Sequence, residues 1–116
     1  MSNCIFCKIV NGEIAAQKVF EDKDMVVFHD INPAAEVHVL VVPKKHIESL
    51  STLTDKDNDL IAKLTQNLTK VATMLGLETG FKTLINTGEG GGQLVPHLHY
   101  HILGGKLTKL QALKNT

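Results

Sequence analysis

The sequence predicts an α+β domain on a five-stranded antiparallel sheet, with one long helix and a short N-terminal one. Three observations predict it. Two short strand-like runs face each other across a charged turn, Asp22-Lys23-Asp24. One segment, residues 36–43, is β-branched and apolar on both faces, as a strand in the middle of a sheet would be. A single long stretch, 54–75, carries apolar residues at helical spacing. The order β-β-β-α-β-β behind a small helix then favours helices packed on an antiparallel sheet.

The elements follow in turn. Residues 4–10 read as a short amphipathic helix stopped near Asn11-Gly12. Residues 18–21 and 25–30 are the two strands around the charged turn, and Asn32-Pro33 marks a loop. The strand at 36–43 has His38 as its one polar interruption. In the helix, Leu60, Leu64, Leu68, Val71 and Leu75 recur every three or four positions; Thr54 with Asp57 resembles a capping box, and Gly76 supplies the stop. A strand is expected at 81–87, a glycine-rich loop at 88–92, and a last strand at 97–103 ended by Gly104-Gly105. Residues 106–116 are weakly helical and expected to fray. The chain of 116 residues is expected to form one domain, 1–116.

Composition narrows the function. Twelve acidic residues balance twelve basic ones, so direct binding of nucleic acid through a basic stripe is not the expectation. No apolar run approaches the ~20 residues that span a bilayer, and the N-terminal residues carry no secretory pattern, so a cytoplasmic location with reduced thiols is expected. All the basic residues are Lys. A phosphate would therefore be bound without the guanidinium fork usually used for it. Against this stand six His, three of them at 97, 99 and 101.

Strict alternation in His97-Leu98-His99-Tyr100-His101-Ile102-Leu103 puts the three His on one strand face and the apolar residues on the other. Strand rise separates neighbouring His by about 6.7 Å and the outer two by roughly 13 Å. One metal could hardly take all three, so different roles are expected. Neutral imidazole offers both a lone pair and a proton near pH 7. If His99 attacks an electrophile through one ring nitrogen, an acceptor must hold the N–H of the other, commonly a backbone carbonyl. His97 and His101 would then donate to a phosphoryl or leaving group. The run Gly88-Glu89-Gly90-Gly91-Gly92 is expected to turn backbone N–H groups towards an anion. Cys4 and Cys7 in Cys-x-x-Cys spacing leave three readings open: a redox pair, half a zinc site, or two inert thiols.

The strand 97–103 resembles the signature of the histidine triad (HIT) family at every position. Cys-Ile-Phe-Cys-Lys-Ile at 4–9, Phe-Glu-Asp at 20–22, Phe-His-Asp-Ile at 28–31, Val-Pro-Lys-Lys-His at 42–46 and Gly-Gly-Gln at 91–93 look like the Hint branch. The resemblance implies a HIT-like fold and a homodimer. It also implies hydrolysis of purine nucleoside phosphoramidates, or related esters and adenylates, at the α-phosphate. His99 matches the nucleophile, and His101 and His38 match residues beside it and the phosphate. Asp30 matches the carboxylate that binds both ribose hydroxyls; Asn86 matches a phosphate and sugar contact, and Gly92 and Gln93 the loop beside the phosphate. Ile5, Phe6, Ile9, Phe28 and Ile31 match an apolar slot for the base, with core packing as their alternative reading. Similarity to bacterial-type relatives implies a structural zinc on Cys4, Cys7, His46 and His97, and no organic cofactor. His29 has no assigned role.

Two departures bear on rate and substrate range. Leu94 and Pro96 stand where relatives carry a Ser hydroxyl and an aromatic, and the tail 107–116 has no aromatic residue. Losing one such hydroxyl donor would cost about 2.7–4 kcal/mol of transition-state stabilisation.

Overall fold

A computed structural model describes residues 3–107. Five antiparallel strands form one sheet in the order β1-β2-β3-β5-β4: β1 Lys18–Glu21, β2 Met25–His29, β3 Ala35–Pro43, β4 Lys82–Leu84 and β5 Tyr100–Leu107. Two helices pack on it, α1 Ile5–Val10 and α2 Asn58–Met74. Among the described residues no helix is long and apolar enough to cross a membrane.

Side-chain alternation sorts the strands into two apolar layers. Met25, Val27, Val39, Val41, Tyr100 and Ile102 face α2, where Leu64, Leu68, Val71 and Ala72 complete the larger core. Val26, Phe28, Leu40 and Val42 face α1 and meet Phe6 and Ile9. The continuous apolar run of β3 is thus explained, since this strand is covered on both faces. By the same period His38 falls with Leu40 and Val42 on the α1 face. His101, paired with Leu40 across β3–β5, falls there too. α1 is only 6 residues long and leaves that end of the face uncovered by helix. The sheet thereby brings the polar residues of β3 and β5 together beside a short helix.

Expected and observed boundaries differ where prolines and glycines act. The last strand starts at Tyr100, not 97, because its neighbour β3 ends at Pro43, which has no N–H to extend the ladder. The Leu98 N–H goes instead to the Ile47 carbonyl, 2.7 Å away. β4 is three residues long, shorter than expected, with Leu84 paired to His101 as its last residue. Gly104-Gly105 do not end β5. They carry it through an irregularity opposite 35–37: Gly104 lies so close to Leu77 that a Cβ would stand 2.6 Å from its Cδ2, and Gly105 has φ +68°. Lys106 and Leu107, expected to be weakly helical, belong to the strand, and residues 108–116 of that expectation lie outside the described residues.

The capping box forms as expected, with the Thr54 N–H donating to Asp57 Oδ2 at 3.0 Å. It caps a 3₁₀ turn over Asp55–Asp57, from which α2 continues at Asn58.

Candidate active site

Hydrogen-bond partners fix the tautomers of the histidines on the α1 face. Ala34 N–H donates to His38 Nδ1 at 3.0 Å, so that nitrogen holds the lone pair and Nε2 carries the proton. His38 Nε2–H then donates to His101 Nδ1 at 2.9 Å. The proton of His101 must therefore sit on Nε2, a buried donor with no partner among the described residues. His99 Nδ1–H donates to the His97 carbonyl at 2.8 Å, which leaves the lone pair on Nε2. The rings of His99 and His101 are 5.0 Å apart. A bare nucleophilic nitrogen and a buried N–H without an acceptor thus stand on adjacent rings.

Burial keeps these rings neutral. It lowers the His99 pKa, with the His97 carbonyl bond opposing, and lowers that of His38 against the nearby Asp30 carboxylate. His101 is pushed down to about 4 by burial, then by His99 and His38. Asp30 stands beside this chain, its Oδ2 3.4 Å from His38 Nε2 and its Oδ1 accepting from the Asn32 N–H at 2.8 Å.

A second cluster gathers Cys4, Cys7, His46 and His97, whose ligand atoms all lie within 4.8 Å of one another. Cys4 Sγ is 3.2 Å and Cys7 Sγ 3.6 Å from His97 Nδ1; Cys7 Sγ is 3.3 Å from His46 Nδ1, and the two Nδ1 atoms are 3.2 Å apart. Bonds of about 2.0–2.3 Å to a tetrahedral zinc imply ligand–ligand edges of roughly 3.3–3.8 Å, close to what these residues present. His97 Nε2–H donates to the Pro43 carbonyl at 2.8 Å, so its Nδ1 is free to ligate. The donor set therefore fits zinc.

Asp30, His38 and His101 also converge within 4.8 Å. Their hydrogen bonds argue against a metal there. Ligation by His38 Nε2 would leave a neutral ring without its proton, because Nδ1 already accepts from Ala34.

Two expectations are corrected, and a third residue, Gln93, gains a structural role. His97 is not free to donate to a phosphoryl or leaving group, since its ring is fully buried with both nitrogens engaged in the Cys/His cluster and at Pro43. Most of the glycine run is not turned towards an anion as expected. N–H groups of Gly88, Gly91, Gly92 and Gln93 all donate within the loop, around a 3₁₀ turn over Glu89–Gly91 that Gly88 and Gly92 flank with φ of +72° and +80°. Gln93 is a clasp: its Oε1 accepts from Gly88 N–H, and its Nε2 donates to the carbonyls of Glu48 (2.8 Å) and Val95 (2.9 Å). Gln93→Ala is expected to lower stability by roughly 2 kcal/mol, at about 0.5–1.5 per hydrogen bond, and to speed amide exchange at Gly88. Unchanged exchange there would rule out the clasp.

Of the apolar set, Phe6, Ile9 and Phe28 are core residues, with Phe6 edge-on to His97, His99 and Phe28. Ile5 and Ile31 are exposed, Ile31 at 91%. Asn86 is half-buried, its backbone against Gly91. Leu94 is 92% exposed and, with Cys4, Ile5, His46, Val95 and Pro96, lines a cavity of about 910 Å³ that none of Asp30, His38, His99 or His101 lines. Asp57 joins that wall and accepts from Lys45 Nζ at 2.7 Å. The sequence signalled only its capping role.

Residues 3–115 match the family model described as "Scavenger mRNA decapping enzyme C-term binding". The chain is 54% identical over 104 residues to protein HitA of Neisseria gonorrhoeae, covering 90% of this chain and 97% of that protein. It belongs to the histidine triad family. A HIT family hydrolase from Legionella pneumophila superposes with a TM-score of 0.87 at 47% identity, covering 90% of this chain and 94% of that one. A histidine triad protein from Clostridium difficile gives 0.89 at 47%, covering 100% and 97%. A histidine triad nucleotide-binding protein from Candida albicans gives 0.78 at 35%, covering 85% and 72%. The HIT fold expected from the strand 97–103 is the fold observed.

Proposed function

We propose that this protein hydrolyses purine nucleoside 5′-phosphoramidates, or related adenylates, at the α-phosphate through a nucleotidyl-histidine intermediate. The observation that carries the reading is the pair of fixed tautomers, a bare His99 Nε2 beside a partnerless His101 Nε2–H. His99 Nε2 attacks phosphorus while the P–N bond of the N-protonated phosphoramidate breaks, and the His101 Nε2–H hydrogen-bonds the amine that departs. Water then attacks the phosphoryl-histidine, the bond from phosphorus to His99 Nε2 breaks, and the proton of the water passes to solvent. The Legionella pneumophila relative is described as a hydrolase and the Candida albicans one as nucleotide-binding, which supports this reaction class.

In this reading Asp30 accepts the ribose hydroxyls and exposed Ile31 and Ile5 flank the base. Asn86 and Gly92 border the phosphate from a loop that Gln93 holds in shape. Asp30→Ala is expected to weaken adenosine 5′-monophosphate by about tenfold or more, the loss of charge-assisted hydrogen bonds, while leaving the 2′,3′-dideoxy analogue nearly unaffected. Equal affinity of the variant for the ribonucleotide would reject the assignment.

Cys4, Cys7, His46 and His97 would hold a structural zinc, which when bound crosslinks α1, the segment after β3 and the approach to β5. Elemental analysis of protein purified without added metal should find about one equivalent per chain; none would reject it. Free thiols of this kind suit a reducing cytoplasm. β4, at the sheet edge, offers a surface for a homodimer. The rival reading, a nucleotide-binding module with little turnover, has Leu94 in its favour, because no hydroxyl stands there. Turnover of a fluorogenic adenosine phosphoramidate decides between them.

A further inference from the structure

His97 belongs to both clusters at once. Its ring Nδ1 lies 3.2 Å from Cys4 Sγ and 3.2 Å from His46 Nδ1, and its Nε2–H holds the Pro43 carbonyl. Its backbone carbonyl is the acceptor for His99 Nδ1–H, and its backbone N–H donates to Val95 at 2.8 Å. With no exposed surface, the ring has no solvent into which to swing. Phe6, between the two cysteines in sequence, packs its edge against both His97 and His99, at 5.8 and 5.1 Å. A movement of the ring therefore turns the peptide that holds the next His.

We infer that the Cys4–Cys7–His46–His97 cluster is a positioning device for the nucleophile: by gripping the His97 ring it fixes the carbonyl that selects the Nδ1–H tautomer of His99. The inference rests on the reading above of His99 as nucleophile and of the cluster as a zinc site. An imidazole without a fixed acceptor distributes its proton over both nitrogens, and the fraction protonated at Nε2 has no lone pair for phosphorus. A wrong tautomer at a catalytic His is enough to cost orders of magnitude in turnover. His97, Cys4, Cys7 and His46 touch no substrate in this scheme; they act through His99.

The test is ¹⁵N NMR of the His99 ring in the full chain, loaded with zinc and after its removal by a chelator. Loaded protein should show one tautomer, protonated at Nδ1. After removal both tautomers should appear, kcat should fall about ten- to a hundredfold, the range seen when groups orienting a site are lost, and zinc should restore both. Affinity for adenosine 5′-monophosphate should stay within about twofold, since ground-state binding does not use the tautomer. If the metal-free chain unfolds, Cys7→Ser at saturating zinc is the variant to read, with the same mixed tautomers expected. A His99 ring that stays wholly protonated at Nδ1 in these samples overturns the positioning role while leaving the zinc reading intact. Absence of bound zinc overturns both, and an active His99→Ala variant overturns the nucleophile itself.

Discussion

His99→Ala is expected to abolish turnover of an adenosine phosphoramidate, by about 10⁴-fold or more, while changing affinity for adenosine 5′-monophosphate by no more than about threefold. The asymmetry follows from where the ring sits. His99 is held at Nδ1 by a backbone carbonyl and packed at its edge by Phe6, so its free nitrogen serves the reaction and not the ground state. Neither His101 nor His97 can take over. His101 keeps its lone pair on the nitrogen that faces His38, and His97 has both nitrogens engaged. His99→Gly supplies a sharper version, because added imidazole should restore part of the rate if the cavity admits it. Turnover in His99→Ala within about tenfold of the wild type, a loss under 1.4 kcal/mol, would defeat the covalent mechanism.

How much of this was legible in the sequence depends on the range of the interaction. β2, β3 and α2 were readable because period and β-branching are local, and the capping box at Thr54 is a four-residue pattern. Where β5 begins was not, because it depends on Pro43, over fifty residues away in the chain, ending the neighbouring strand. The alternation of 97–103 gave no sign that the His97 ring is fully buried, because its partners Cys4, His46 and Pro43 are each over fifty residues away in the chain. The clasp made by Gln93 was hidden for a related reason. A side-chain amide that satisfies Gly88, Glu48 and Val95 at once cannot be told from a ligand by its neighbours in sequence. The meeting of His38 with His101 needed the sheet order, in which β3 and β5 are adjacent although α2 and β4 lie between them in the chain. Cys-x-x-Cys alone left three readings, and only the convergence of His46 and His97 gives it a donor set that fits zinc.

The largest pH effect is expected from His101. Its pKa in the fold is about 4, against 6.5 for an unhindered imidazole, chiefly because burial penalises the charged ring. Above pH 6.5 the ring is neutral in folded and unfolded chains alike and contributes no pH dependence. As pH falls from 6.5 towards 4 the unfolded chain binds the proton and the folded one resists it. Stability drops across that window and levels off below it, by roughly 3 kcal/mol for a depression of this size. His38, also lowered by burial, acts in the same direction. The activity limb has the same origin. Protonating His101 puts a second N–H on Nδ1, 2.9 Å from the His38 Nε2–H that donates to it, and two donors then oppose each other. The acid limb of kcat/KM should accordingly lie well below 6.5. His101→Phe keeps a ring of similar bulk and removes the donor, and should lower turnover by about 10²–10³-fold. The variant should also lose a visible part of the stability slope between pH 6.5 and 4, measured by denaturant unfolding. A slope equal to that of the wild type would place the acid sensitivity elsewhere, and an undiminished turnover would remove His101 from contact with the leaving group.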